Sequence, residues 1–187
     1  MDSIACLKEK IYGIIEKSLV PEDPIHAINT LEWLLQLKPD ADEPLKIAAL
    51  GHDIERAIKE RKVRRKDYKS YEEFKEAHAL NSAQILLEIM KGCNLNKELP
   101  EDIFFLVRHH ESGGGSRVDV LRDSDSISFF QVNLPYYFIR NGVEETKRRC
   151  LWGYKKLPHN LKGIVAGFDY QDKELESLVR TCIAESE

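Results

Sequence analysis

The sequence predicts an all-α protein, and two patterns support this fold class. Apolar residues recur at intervals of three and four along most of the 187 residues, which is the pattern of an amphipathic helix with one buried face. Alternating apolar and polar residues bounded by turns, the pattern of a half-buried strand, are essentially absent. Because 42% of the residues are hydrophobic, the chain can bury a core of its own, and we expect residues 1–187 to form a single helical domain.

The helices of the first part of the chain are delimited by proline and glycine. Pro21 ends the first helix, and Pro24 lies in the first turn of the second, where proline is favoured. Gly92 ends the fourth helix, and the run Gly113–Gly115 ends the fifth. The segment 59–69 is charged, lacks an apolar face and is expected to be a loop or a frayed helix end. The predicted helices cover residues 4–19, 24–37, 42–58, 71–90 and 100–110.

The same spacing continues to the C-terminus. It predicts helices over residues 124–132, 135–140 and 143–157, and one or two short helices after residue 160. No internal repeat or low-complexity linker interrupts them. We expect residues 141–187 to pack on the preceding helices, and this region is also a candidate surface for a homodimer.

Charge and cysteine content exclude several classes of protein. The chain has 28 Lys and Arg against 32 Asp and Glu, so it lacks the basic surface of a dedicated nucleic-acid-binding protein. Four cysteines without a C-x-x-C motif exclude a zinc ribbon, and we expect reduced, mostly buried thiols in a cytoplasmic protein. The N-terminus has no apolar signal-peptide core, and no segment predicts a membrane span.

Five of the six histidines lie beside apolar residues of predicted helices, whereas His159 is expected at the surface. His52 and Asp53 follow an apolar run, where two polar side chains are costly unless something satisfies them. Imidazoles from several helices, together with one or two carboxylates, are typical of a transition-metal site inside a helical bundle. The candidate ligands are, in chain order, His26, His52, Asp53, His78, His109, His110 and one of Asp123 and Asp125.

The order of these residues, H…HD…H…HH…D, resembles the HD-domain superfamily of metal-dependent phosphohydrolases over about residues 24–140. The most specific stretches of this resemblance are residues 49–54 and 108–113. It implies an all-α bundle of the HD-domain type with one or two divalent transition metal ions, either Fe, Mn, Co, Ni or Zn. It also implies one ion held by His26, His52, Asp53 and Asp125 and a second held by His78, His109 and His110, with Asp53 as the bridge.

Two of these assignments depend on helix geometry. Asp123 and Asp125 would point about 200° apart on a helix, so at most one should reach the site. Asp125 matches the last Asp of the family pattern, and Asp123 is then expected to cap the helix that follows. His109 and His110 can face one ion only if the helix loosens there, which the glycine run 113–115 favours.

The resemblance also implies hydrolysis of a phosphoester or phosphoanhydride by a metal-activated water. The implied substrate is a small phosphorylated compound, with nucleotides among the candidates. Asp53, Arg56 and Glu55 are the catalytic candidates, and Arg56 stands where the family often has a Lys that can hold a phosphate. Glu55 and Glu111 are candidates for a general acid or base, or for partners of the histidines. No G-Y-P follows His110, so hydrolysis of cyclic-di-GMP is not expected.

Two other functions remain open at this level. Some proteins with a similar order of ligands hold a diiron site and oxidise their substrates with O₂, and imidazole and carboxylate suit iron equally well. A non-catalytic metal-binding regulatory module is the third reading. The excess of Lys and Arg over residues 56–69 is either a solvated helix exit or a rim that attracts anions. Nucleic acid is disfavoured because few aromatic residues lie among these charges.

Overall fold

The computed structural model describes residues 3–93, 95 and 98–186, and all regular secondary structure in these residues is helical. The all-α prediction is therefore confirmed. Among the same residues, no helix combines the length and the apolar composition needed to cross a membrane. The helices are α1 (Ser3–Ile15), α2 (Asp23–Leu37), α3 (Glu43–Gly51), α4 (Tyr71–Lys91), α5 (Glu98–His109), α6 (Ser116–Ser128), α7 (Leu134–Lys156), α8 (His159–Ala166) and α9 (Lys173–Ala184).

Residue contacts divide the chain into two compact units, Met1–Ser124 and Asp125–Glu187. The boundary falls inside α6. Each unit has a hydrophobic cluster of its own. That the whole chain forms one domain stays a prediction.

In the first unit, α3 is buried against its neighbours. It packs against α2 and α5, and α4 packs along α5. Ile47, Ala48, Ala49 and Leu50 are each at most 1% exposed. At the end of α3, a Cβ atom on Gly51 would lie 2.9 Å from a side-chain carbon of Leu86 in α4. The absence of a side chain at this position lets α3 end in close contact with α4.

The third helix is shorter than predicted. Asp42 caps it, since its carboxylate accepts a backbone hydrogen bond from the first turn at 3.0 Å. The helix ends at Gly51 rather than near residue 58, and a 3-10 turn follows at Ile54–Ala57. Ile54 is still buried, so the helical spacing of apolar residues continues through this turn. His52 and Asp53 therefore lie where the chain turns out of α3.

The segment 59–69 is a loop, as predicted, apart from a short 3-10 turn at Arg65–Asp67. Later boundaries differ more. α6 begins at Ser116, well before residue 124, because its polar residues obscure the apolar spacing of Val118 and Leu121. The break predicted between the helices over 135–140 and 143–157 is present, because α7 is kinked at Gly142, where the backbone is not helical and the φ of 74° is readily adopted only by glycine.

In the second unit, α7 packs against α9. The hydrophobic cluster of this unit includes Cys150, Cys182 and Tyr154, all of which are buried. A π-helical turn, Phe129–Asn133, precedes α7. His159 begins α8 and is exposed, as expected of a surface histidine.

Candidate metal centre

Asp53 lies at the centre of a cluster of buried histidines in the first unit. Its Oδ1 atom is 2.7 Å from Nε2 of His78, 3.8 Å from Nε2 of His52 and 4.0 Å from Nε2 of His110. Its Oδ2 atom is 3.8 Å from Nε2 of His26. Each of these four histidine residues is at most 6% exposed. Side chains from α2, α4 and the ends of α3 and α5 thus converge on a single carboxylate.

The backbone orients two of these imidazoles. Nδ1 of His52 donates to the Ala49 carbonyl at 2.9 Å, and Nδ1 of His110 donates to the Val107 carbonyl at 2.7 Å. Both carbonyls belong to the last turn of a helix, where carbonyl groups have no partner within the helix. Because a carbonyl only accepts, the Nδ1 atom carries the proton in each ring. In the neutral ring, the lone pair is then on Nε2, which points toward Asp53 and is able to bind a metal.

Three overlapping groups of side chains are able to hold a metal ion. In each group, the candidate ligand atoms lie within 4.8 Å of one another. Every group combines imidazole with a carboxylate, the donors that suit divalent transition metals. Among the described residues, the groups are His26, His52 and Asp125; His52, Asp53 and His110; and His78, His110 and Glu111.

The charges around Asp53 favour a cation. Burial opposes ionisation of this carboxyl, but His52, His78 and Arg56 hold the pKa of Asp53 well below its usual range. Burial likewise opposes the charge on His78, but Asp53 and Glu55 raise the pKa of His78 to about 10. The imidazole of His78 therefore carries protons on both ring nitrogens at neutral pH and is positively charged. A metal ion that binds to Nε2 of His78 must displace the proton on that nitrogen, so metal binding depends on pH.

Glu55 holds His78 in place. The Glu55 side chain is only 1% exposed. Its Oε1 accepts a hydrogen bond from Nδ1 of His78 at 2.7 Å, and its Oε2 accepts one from the backbone N–H of Val63 at 2.7 Å. This arrangement favours the role of a histidine partner over that of a general acid or base. Glu55 also ties the loop 59–69 to the metal centre.

Glu55→Gln is expected to weaken metal binding about 10- to 100-fold, because carboxylate partners of metal-binding histidines have effects of this size. Glu55→Ala should weaken it further, since it also removes the acceptor for Val63. Competition with a chromogenic chelator would measure both affinities. Glu60→Gln, at an exposed position of the same loop, is the matched control. Unchanged affinity in both Glu55 variants would contradict this role.

Arg56 connects Asp53 to a second buried carboxylate, Asp23. Its Nη1 lies 2.9 Å from Asp53 Oδ2, and its Nη2 lies 3.1 Å from Asp23 Oδ1. Ser18 donates its hydroxyl to Asp23 at 2.6 Å. Burial raises the pKa of Asp23, although Arg56 and Ser18 oppose this shift. Sequence reasoning missed this role of Asp23, because an Asp at the start of a helix is explained by the helix terminus alone.

The two adjacent histidines at the end of α5 face different ways. The His109 ring packs against the half-exposed Phe105, with their centroids 4.8 Å apart. His110 is fully buried. Successive side chains near a helix end point about 100° apart, so only one of the pair reaches Asp53. The resemblance implied that both would bind one ion, but the structure brings His110 to the cluster and leaves His109 outside the three groups.

Glu111 takes the position that the resemblance implied for His109. It lies with His78 and His110 in the third group, and it forms an ion pair with Lys75 of α4. The Lys75 side chain is 14% exposed. The sequence indicated Glu111 only as an acid, a base or a histidine partner. Glu111 directly follows the two histidines in the chain, and this was the sequence signal that could have identified it as a ligand. Nothing in the sequence singled out Lys75.

The two carboxylates of α6 are placed differently. Asp125 joins His26 and His52 in the first group. Asp123 accepts a hydrogen bond from Arg122 at 2.9 Å. This is consistent with the choice of Asp125 as the ligand. The capping role expected for Asp123 is wrong, because α6 already begins at Ser116.

The basic loop 59–69 is partly held by local ion pairs. Arg61 pairs with Glu88 of α4 at 3.1 Å, and Arg64 pairs with Asp67 at 2.9 Å. The lysines at positions 59, 62, 66 and 69 are exposed. That this loop attracts anions stays a prediction.

One family model matches most of this chain. The model described as "Domain of unknown function (DUF4202)" matches residues 9–176. No curated protein and no solved structure matches the chain. The matched residues include the histidine cluster and its neighbours. Because the match spans far more than half of the 187 residues, the chain belongs to the DUF4202 family.

Proposed function

We propose that this protein is a metal-dependent phosphohydrolase of the HD-domain type that acts on a small phosphorylated substrate. The observation that carries the proposal is the convergence of four buried imidazoles on Asp53, with all four Nε2 atoms within 4.0 Å of its carboxylate. Burying this many polar rings around one charge is costly for folding. A metal site is the function that best accounts for that cost.

The donor set suits a borderline divalent ion. Imidazole nitrogen and carboxylate oxygen are good ligands for Mn, Fe, Co, Ni and Zn. None of the three groups of described residues contains a cysteine, so a preference for soft, thiolate-binding metals is not expected. The shared histidines, His52 and His110, are compatible with either one ion or two.

The net charge of the centre with metal bound favours an anionic substrate. The three groups contain three carboxylates, those of Asp53, Glu111 and Asp125. Two cations, Arg56 and Lys75, pair with members of these groups. If the ligating imidazoles are neutral, these groups and the carboxylates of Asp23 and Glu55, which contact Arg56 and His78, sum to about three negative charges, so two divalent ions make the centre positive. A phosphate group would neutralise this charge.

A divalent ion bound there would supply a Lewis acid that activates water and offsets charge on the phosphoryl oxygens. The side chains of the protein do the rest. Arg56 keeps Asp53 oriented, and its guanidinium, which has five N–H donors, can also donate to a phosphoryl oxygen. The Arg56 side chain is 26% exposed, so an incoming anion can reach it. Lys75 offers a second cation beside Glu111.

The HD-type assignment rests on the order of residues H…HD…H…HH…D and on the geometry around Asp53. Glu111 is a departure from that pattern, because it stands beside His78 and His110 in place of His109. A carboxylate at this point makes the ligand set more negative than the pattern implies. We expect this to increase affinity for the metal while keeping the same class of reaction.

Metal analysis and a substrate screen together test this proposal. Protein purified without chelators should contain one or two transition metal ions per chain. With Mn²⁺, Co²⁺ or Ni²⁺, it should release phosphate from at least one compound in a panel of phosphomonoesters, nucleotides and dinucleotides. Asp40→Asn, at an exposed position outside the centre, should retain this activity and serve as the control.

Two outcomes would overturn the proposal. Protein that stays free of metal after reconstitution would exclude a metal-dependent reaction. Iron-loaded protein that consumes O₂ with a substrate, and releases no phosphate from any compound, would favour the oxygenase reading.

A further inference from the structure

Two of the four cysteines form a close pair in the first unit, and neither belongs to the three metal-binding groups. The Sγ atoms of Cys6 and Cys93 are 3.0 Å apart, although the residues are separated by 87 positions in the chain. Both are free thiols. Cys6 belongs to α1, and Cys93 follows the end of α4, two helices that pack against each other. The fold therefore already holds these sulfurs close enough to react.

The surroundings of this pair favour reaction at Cys6 first. Cys6 is partly exposed, whereas Cys93 is only 4% exposed. Burial raises the pKa of the Cys93 thiol, which makes it the weaker nucleophile at neutral pH. Lys10 lies one turn after Cys6 on α1, and its ammonium donates to the Gly92 carbonyl at 2.9 Å. This positive charge partly offsets the effect of burial on the pKa of Cys93, which helps the second thiol to react in its turn.

The other two cysteines provide an internal comparison. Cys150 on α7 and Cys182 on α9 interact with each other in the second unit, and both are fully buried. A reagent in solution reaches neither without unfolding. Only the pair of the first unit combines close sulfurs with an accessible thiol among the described residues.

We propose that Cys6 and Cys93 are a reversible disulfide site, oxidised by thiol–disulfide exchange with a small-molecule disulfide. The Cys6 thiolate attacks one sulfur of the reagent, breaks its S–S bond and releases one small thiolate, which takes up the proton from Cys6. The Cys93 thiolate then attacks Cys6 Sγ and releases the second small thiol in the same way. Two electrons pass from the cysteine sulfurs to the reagent, and excess small thiol reverses both steps.

A disulfide between Cys6 and Cys93 would stabilise the first unit against unfolding. It closes the chain between residues 6 and 93 and fixes α1 to the end of α4. α1 also contacts the 3-10 turn Ile54–Ala57, which carries Glu55 and Arg56. A crosslink across a long stretch of chain disfavours the unfolded state. The oxidised protein should therefore have a higher Tm than the reduced protein.

Thiol counting by mass spectrometry tests the proposal. The full chain is incubated with oxidised glutathione, denatured and alkylated. We expect two alkylated thiols instead of four, no retained glutathione, and a proteolytic fragment that links Cys6 to Cys93. Dithiothreitol should restore all four thiols and lower Tm. Cys6→Ser should form no internal link, while Cys182→Ala, the control, should still form the link between Cys6 and Cys93.

Three outcomes would overturn the proposal: four alkylated thiols after oxidation, a link that joins a different pair, or glutathione that stays on Cys6. Each of these outcomes is measured on the wild-type protein, so the result does not depend on the folding of a variant. The test is also independent of metal binding and of hydrolysis.

Discussion

Asp53→Asn is expected to lower affinity for the metal by more than about 100-fold, because loss of a mere partner of a ligand already costs about 10- to 100-fold. The asparagine keeps the size of the side chain but removes the charge on which four imidazoles converge. Phosphate release should be lost with the metal. Elemental analysis and chelator competition measure the first effect, and the substrate screen measures the second.

The variant should still fold, since Arg56 keeps its contact with Asp23 and His78 keeps its contact with Glu55. In the metal-free variant, the pKa of His78 should fall from its raised value, because Asp53 is the leading cause of that increase. An NMR titration of the histidines reports this change without any metal. Asp40→Asn is again the control. Wild-type affinity for metal in Asp53→Asn would refute the central role of this carboxylate.

His110→Gln and His109→Gln are expected to behave in opposite ways, although the two residues are neighbours. His110 is fully buried and its Nε2 is 4.0 Å from Asp53, so its replacement should remove most of the bound metal. The ring of His109 packs on Phe105 instead, so its replacement should leave the metal content unchanged. Elemental analysis of the two purified proteins is the decisive measurement.

Circular dichroism would confirm that both histidine variants remain helical. If His109→Gln lost metal to the same extent as His110→Gln, the ligand set implied by the HD-domain resemblance would be correct as it stands. Glu111→Gln adds a third comparison. It should weaken binding if Glu111 contributes a ligand beside His78 and His110.

The helical architecture was largely predictable from the sequence, because the spacing of apolar residues is a local property. The start of α2 near Pro24 and the end of α4 near Gly92 agree with the structure. The predicted helix boundaries are wrong where buried apolar residues lie outside a regular helix or where a helix has few apolar residues. Ile54 is buried in a 3-10 turn, so α3 was predicted too long. The start of α6 was missed because that helix carries few apolar residues.

The candidate site was predictable in composition but not in detail. The order of histidines in the chain indicated His26, His52, His78 and His110 together with Asp53, and the structure places these five side chains in one cluster. It also adds Glu111 to a candidate ligand group and places Asp23 and Lys75 in contact with its members. Glu111 directly follows His109 and His110, so a local signal for it existed, whereas Asp23 and Lys75 lie far from their partners in the chain and no local pattern could indicate their contacts.

The amino-acid sequence by itself determined the all-α fold class and most of the residues of the candidate metal centre, since both depend on residue type and spacing. Only the tertiary structure decided which of His109 and His110 faces Asp53, and that Glu55 holds His78. It also decided that Cys6 lies against Cys93. Those outcomes depend on how helices from distant parts of the chain pack, because packing selects which side of each helix end is buried.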